Sequence, residues 1–287
     1  MSDVVLYNVP PSLCSQKVRL VLVEKGVSFT NRWVDIGPTA ENYEPWYVKL
    51  NPKCVVPTLT HGDKVVTDSA VIMRYVAEEF DGAALLPEEP DVREGMEHWY
   101  SLGADIDFRL FTFSNAKPKI VQFMLGKKIK KLKKYAEKYP DLRELYAQKL
   151  KDIQGLQADV VQPGRSKEMN QRLEESLNEM DALLAEQPFL SGQAYTLADV
   201  IWTVTLTRIQ FIKRFEVIEG RPNVLAYYRR MQSRPSYLAA DLWPRFKVGS
   251  MMPVFVKVLA PRLAVLGLLL LGVVAIVYLL WWLSPVG

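Results

Sequence analysis

Cys14 stands in Pro10-Pro11-Ser12-Leu13-Cys14-Ser15-Gln16-Lys17, between a short strand and a helix. A helix N-terminus presents unpaired backbone N–H groups and the positive end of the dipole, so it favours negative charge. The thiolate is the nucleophilic form of cysteine, and thiol chemistry is expected here. No second thiol follows at CxxC spacing, because Ser15-Gln16-Lys17 comes next. A dithiol mechanism is therefore disfavoured, whereas monothiol exchange needs one cysteine and a small thiol partner. An inert thiol packed in the first helix is the competing reading.

The elements that must position this thiol follow from periodicity. Residues 4–7 read as a strand and 15–25 as a helix carrying Val18, Val21 and Leu22 on one face, with charges opposite and Gly26 at its end. Residues 29–34 alternate toward a second strand. Residues 56–59 and 64–67 flank His61-Gly62-Asp63 as a hairpin, and 69–80 return to helical spacing. The order β-α-β-β-β-α suggests a thioredoxin-like sheet over 1–82. From 91 to 246 the pattern is helical, punctuated by Pro118, Pro140, Pro163 and Pro188, so an all-α domain is expected after a linker at 82–90.

The far end differs. Residues 263–283 are 21 consecutive positions without a charge, and such a helix would span roughly 31 Å, the thickness of a bilayer core. Tyr278, Trp281 and Trp282 crowd its end, and Arg245, Lys247, Lys257 and Arg262 precede it. The pattern predicts a single C-terminal transmembrane helix, a tail anchor in the lipid bilayer. The body then lies on the cytoplasmic side of a bacterial inner membrane or an organelle outer membrane. The expected fold class is thus α+β with an N-terminal thioredoxin-like mixed sheet domain, an all-α domain and this span.

Composition sets further limits. The 287 residues are 49% hydrophobic and 24% charged, enough for a sizeable core. Two cysteines make no disulfide framework and fit a reducing compartment. His61 and His98 show no metal-ligand spacing, so no metal is expected. A formal charge of +4 is too mild to indicate nucleic acid. Residues 127–138 hold seven lysines. They read as a solvated helix face or as a surface for anionic lipid.

In this order, Asn51-Pro52-Lys53-Cys54-Val55-Val56-Pro57, Asp68-Ser69 and Tyr195-Thr196-Leu197-Ala198-Asp199 resemble three motifs of the cytosolic glutathione transferase superfamily. Within it, Ser12-Leu13-Cys14, Val34-Asp35-Ile36-Gly37 and Tyr135-Ala136-Glu137-Lys138-Tyr139-Pro140 resemble the glutathione-dependent reductive dehalogenases of chlorinated hydroquinones. Gln16-Lys17-Val18-Arg19-Leu20 and Glu44-Pro45-Trp46 also resemble the ganglioside-induced differentiation-associated group, the better analogy for the anchor.

The resemblance implies glutathione as cosubstrate. A cis Val56-Pro57 bond would turn the Val56 amide and carbonyl toward the peptide, held like an added strand. Asp68 and Ser69, at the start of a helix, would hold its γ-glutamyl end. Lys53 and Val55 occupy the stretch that contacts the other end, where Val55 offers no polar group. Cys54 stands where many relatives carry Gly, either as a small buried side chain or as a partner for Cys14 under oxidation. Ser12 would help ionise the glutathione thiol or merely cap the helix, and Cys14 would resolve a glutathionyl adduct. Thr196 and Asp199 read as a capping box for folding. The resemblance also implies a homodimer.

Two functions follow. One is an anchored glutathione-dependent enzyme acting on hydrophobic electrophiles, by reductive dehalogenation or deglutathionylation of quinones and halogenated aromatics. The other is a weakly catalytic or non-catalytic tethered module that senses glutathione or binds partners.

Overall fold

The computed structural model describes residues 3–247 and the single positions 249, 252, 256, 260 and 263. Residues up to Phe246 form one compact unit. Strand β1 (Val4–Asn8) leads to helix α1 (Leu13–Glu24), then β2 (Thr30–Trp33), α2 (Pro45–Leu50), β3 (Thr58–His61), β4 (Lys64–Thr67) and α3 (Ser69–Glu79). The sheet order is β2-β1-β3-β4. β1 runs parallel to β2, with Leu6 opposite Asn31, and antiparallel to β3, with Leu6 opposite Leu59. This is the thioredoxin-like sheet.

Two boundaries that shape the site, and one added element, differ from the sequence reading. Helix α1 begins at Leu13 because Ser12 caps it, its Oγ accepting the Ser15 amide at 3.3 Å. Cys14 therefore sits inside the first turn. Strand β3 begins at Thr58, after Pro57, which has no N–H for the ladder. The short helix α2 was not foreseen; its Pro45 occupies the first turn, where proline costs no hydrogen bond.

The rest is helical: α4 (Pro90–Asp105), α5 (Phe108–Ser114), α6 (Pro118–Lys138), α7 (Arg143–Val161), α8 (Pro163–Leu183), α9 (Leu197–Phe211), the single turn α10 (Glu216–Glu219), α11 (Pro222–Gln232) and α12 (Pro235–Ala239). Helix α9 is buried along most of its length and belongs to the core that joins the sheet to the helices, with Leu6, Val18, Ile72, Trp99, Trp202 and Tyr227. Burying each large apolar side chain contributes about 1.5–3 kcal/mol. At Gly103 a Cβ would lie 2.9 Å from Ile201 Cγ2, so only glycine lets α4 approach α9 this closely. A second core packs Tyr43, Val48 and Cys54 against Leu125, Tyr146 and Ile153 of α6 and α7.

The polar side of α1 does not face solvent. Arg19 is buried and donates to Asn8 Oδ1 at 2.9 Å, to the Pro10 carbonyl at 3.0 Å and to the Ala240 carbonyl at 2.8 Å. The segment after α12 covers that side, so its charges are structural.

The expected transmembrane helix, and with it the bilayer partner and membrane localisation, is corrected. Among the described residues no helix is long and apolar enough to cross a membrane. Length is not what fails, since α6 and α8 have 21 residues each. Both carry several charges, α6 mostly from Lys127 onward and α8 along its length, which the hydrocarbon core penalises. Residues 264–287, most of the expected span, lie outside the described residues.

Candidate active site

A cavity of about 560 Å³ opens between the sheet and the helices, and Ser12, Cys14, Val55, Val56, Pro57, Asp68 and Ser69 all line it. Lys53 does not: it is exposed, and its amide donates to Asn51 Oδ1 at 3.1 Å.

The first wall is the start of α1. Ser12 accepts the Ser15 amide through Oγ, which leaves its O–H free to donate into the cavity. Cys14 is half-buried, and both of the chain's cysteines are free thiols. Two buried cations flank this turn. Lys17 Nζ donates to the Gly103 carbonyl at 3.4 Å and lies 4.6 Å from the Phe108 ring centroid. Burial lowers its ammonium to about 8, against the opposing charges of Cys14 and Asp68. Arg208 of α9 donates to the Pro11 carbonyl, and burial lowers it to about 10 while Cys14 acts in the other direction. Both cations favour negative charge at the turn.

The second wall is the loop before β3. The Val56-Pro57 peptide is cis. Tyr47 Oη donates to the Val55 carbonyl at 2.6 Å, Asn51 Nδ2 donates to the same oxygen at 2.9 Å, and Asn42 Nδ2 reaches the Cys54 carbonyl at 2.7 Å. These three side chains occupy the two carbonyls that precede Val56. The Val56 amide and carbonyl have no partner among the described residues and remain available to a peptide. The sequence alone does not mark Tyr47 or Asn42, since nothing local links them to the loop, and it marks Asn51 only as part of a motif.

The third wall is the entry to α3. Asp68 holds a backbone φ of 74° and caps the helix, accepting the Ala70 amide at 2.9 Å. One carboxylate oxygen is thus committed to the cap. Ser69 and Ala70 follow on the cavity side, with Tyr100 Oη fixing the Ala70 carbonyl at 2.6 Å.

The remaining wall belongs to α5, α6 and α7. Arg109 donates to both oxygens of Asp152 at 2.9 and 3.0 Å, and Lys149 Nζ reaches Asp152 at 2.8 Å. Burial pushes the Asp152 carboxyl up, but Arg109 and Lys149 outweigh it and hold it down at about 2. Lys128 and the apolar Phe113, Leu125, Ile153 and Leu156 complete this wall. Cys54 also lines the cavity; burial pushes its thiol up to about 11, and its Sγ donates to the Pro52 carbonyl at 3.4 Å. None of these cations was singled out by sequence except as members of the lysine run. Among the described residues no cluster of His, Cys, Asp and Glu could hold a metal ion. His61 instead bonds Tyr75 Oη at 2.8 Å and His98 bonds Glu179 at 2.9 Å.

A thioredoxin-like sheet whose cis-proline loop faces a helix-start hydroxyl and thiol, backed by a helical bundle, is the architecture of glutathione transferases. The chain belongs to the glutathione S-transferase family: residues 11–79 match its N-terminal domain and 162–230 its C-terminal domain. It is 37% identical to the tetrachloro-p-hydroquinone reductive dehalogenase of Sphingobium chlorophenolicum, over 87% of this chain and 100% of that protein. It is also 30% identical to human ganglioside-induced differentiation-associated protein 1-like 1, over 81% of this chain and 72% of that one. Among solved structures, the beta-etherase LigF of Sphingobium sp. strain SYK-6 matches with a TM-score of 0.66 at 25% identity, covering 83% of this chain and 98% of that one. The protein is thus an enzyme of the transferase type with glutathione as cosubstrate.

Proposed function

We propose that this enzyme carries out glutathione-dependent reductive dehalogenation of halogenated hydroquinones. The observation that carries the reading is that a hydroxyl, Ser12, and a thiol, Cys14, line one cavity with the open backbone of Val56 and the helix start at Asp68-Ser69. Similarity to a hydroquinone reductive dehalogenase supports the reaction class.

Glutathione lies along Val56 as an added strand, with its γ-glutamyl carboxylate on the Ser69 hydroxyl and the first amides of α3. Ser12 donates to the glutathione sulfur and favours its thiolate. That thiolate attacks the halogen-bearing ring carbon; a C–S bond forms, and the halide leaves with the bonding pair. The Cys14 thiolate then attacks the glutathionyl sulfur. An S–S bond forms, the C–S bond breaks, and the ring carbon keeps the pair and takes a proton. A second glutathione thiolate attacks the mixed disulfide, releasing glutathione disulfide and the Cys14 thiolate. Two glutathiones are oxidised, and one halogen is replaced by hydrogen.

Intact-mass analysis of the full chain, given glutathione and a chlorinated hydroquinone, tests this. A glutathione adduct on Cys14 is expected, and Cys14→Ser should release halide while accumulating the glutathionyl ring. An unmodified Cys14 together with unchanged turnover in Cys14→Ser would overturn it.

A further inference from the structure

The wall formed by α5, α6 and α7 holds more positive charge than its acids neutralise. Asp152 is shared between Arg109 and Lys149. Asp107 is taken up as the cap of α5, accepting the Arg109 and Leu110 amides at 3.1 and 3.0 Å. Asp35, the acid whose charge acts on Lys128, already accepts from the Gly37 amide at 2.8 Å, the Thr39 amide at 2.6 Å and Thr39 Oγ1 at 2.6 Å. Lys128 lines the cavity with no hydrogen bond or ion pair among the described residues.

Lys128 is half-buried at the cavity wall, and an ammonium partly removed from water with no protein acceptor is stabilised by an anionic ligand that supplies one. Burial, with Lys149 and Arg109 adding repulsion against Asp35, lowers Lys128 to about 8; an anion beside it would reverse that shift. Besides the cations, the same wall carries the apolar Phe113, Leu125, Ile153 and Leu156. They suit a ring better than the glycyl end of a tripeptide.

We propose that the acceptor occupies this lobe as an anion, a phenolate whose oxygen sits on Lys128 Nζ while its ring lies against Phe113 and Leu125. The inference rests on the reading above in taking the lobe as the acceptor's site. It fits the substrate class, because electron-withdrawing halogens acidify ring hydroxyls. Recognition by charge would also explain why Lys128 points inward from a run of otherwise largely exposed lysines.

Calorimetric binding of trichlorophenolate and of its neutral methyl ether to the full chain tests this, with glutathione affinity measured separately. The expected result is a preference for the phenolate of about tenfold or more, the size of one charge-assisted hydrogen bond. Lys128→Met should bring the ratio to about one with glutathione affinity unchanged, and Lys128→Arg should keep the preference. Lys128→Gln gives the same readout should the Met variant fail to fold. Three results would overturn the proposal: no preference in the wild type, a preference that survives Lys128→Met, or a parallel loss of glutathione affinity, which would assign the amine to the tripeptide's carboxylate. Because no turnover is needed, failure here is distinct from absence of the Cys14 adduct.

Discussion

Arg208 donates to the carbonyl of Pro11 at 2.6 Å, joining positions 197 residues apart in sequence. This bond ties α9 to the loop that presents Ser12 and Cys14, so the geometry of the candidate thiol depends on the helical part of the fold. Arg19, the other buried guanidinium nearby, serves the Pro10 carbonyl and cannot substitute.

Replacing Arg208 separates position from charge. Arg208→Met leaves the Pro11 carbonyl without its donor, a loss of about 1–3 kcal/mol. Arg208→Lys keeps the charge but not the planar fork. Both variants should melt a few degrees lower by calorimetry. In single-turnover experiments the glutathionyl intermediate should persist longest in the Met variant, since only it removes a cation beside Cys14. Equal persistence in the two variants would mean that the charge plays no part in that step.

Asp199 offers a pH test of the fold. Its carboxylate accepts from the Leu190 amide at 3.0 Å, the Thr196 amide at 2.8 Å and Tyr227 Oη at 2.9 Å, closing the capping box of α9. Burial nonetheless lifts it from 3.8 to about 6, with those donors acting in the other direction. Between these values the folded chain holds a proton that the unfolded chain has released. Stability therefore falls as pH rises through that window and levels off above it. The urea-unfolding free energy of the wild type relative to Asp199→Asn should decline from about pH 4 to about pH 6, by up to about 3 kcal/mol. A difference that stays flat, or rises, would contradict the assignment.

The parts of the site that sequence revealed are those where a few adjacent residues dictate the backbone. Pro10-Pro11-Ser12 ends a strand and caps a helix, Val56-Pro57 holds the chain out of the ladder until Thr58, and Asp68-Ser69 turns a strand into a helix. The cavity gathers all three. What stayed hidden depends on packing between helices. Arg109, Lys128 and Lys149 come from three helices with no shared local pattern. The lysine run splits in a way no periodicity announces: Lys131 bonds the Ala40 carbonyl and Glu44, both at 2.9 Å, while Lys128 lines the cavity. Helix α1 likewise reads as amphipathic, yet its Lys17 and Arg19 are buried because distant segments cover them.

Cys54 combines a left-handed backbone, φ 52°, with a fully buried side chain. That conformation costs a side chain with a Cβ about 1–2 kcal/mol and glycine almost nothing. Cys54→Ala keeps the strain and loses both the Sγ packing and the bond to the Pro52 carbonyl. Cys54→Gly loses the same contacts but relieves the strain. The Gly variant should therefore be the more stable of the two by about 1 kcal/mol in urea unfolding, against the usual advantage of alanine. The same burial that holds the Cys54 thiol up at about 11 should protect it from alkylation at neutral pH. Iodoacetamide on the folded chain should label Cys14 first, read by peptide mapping. An Ala variant more stable than Gly would refute the strain argument, and prior labelling of Cys54 would mean that its pocket opens readily.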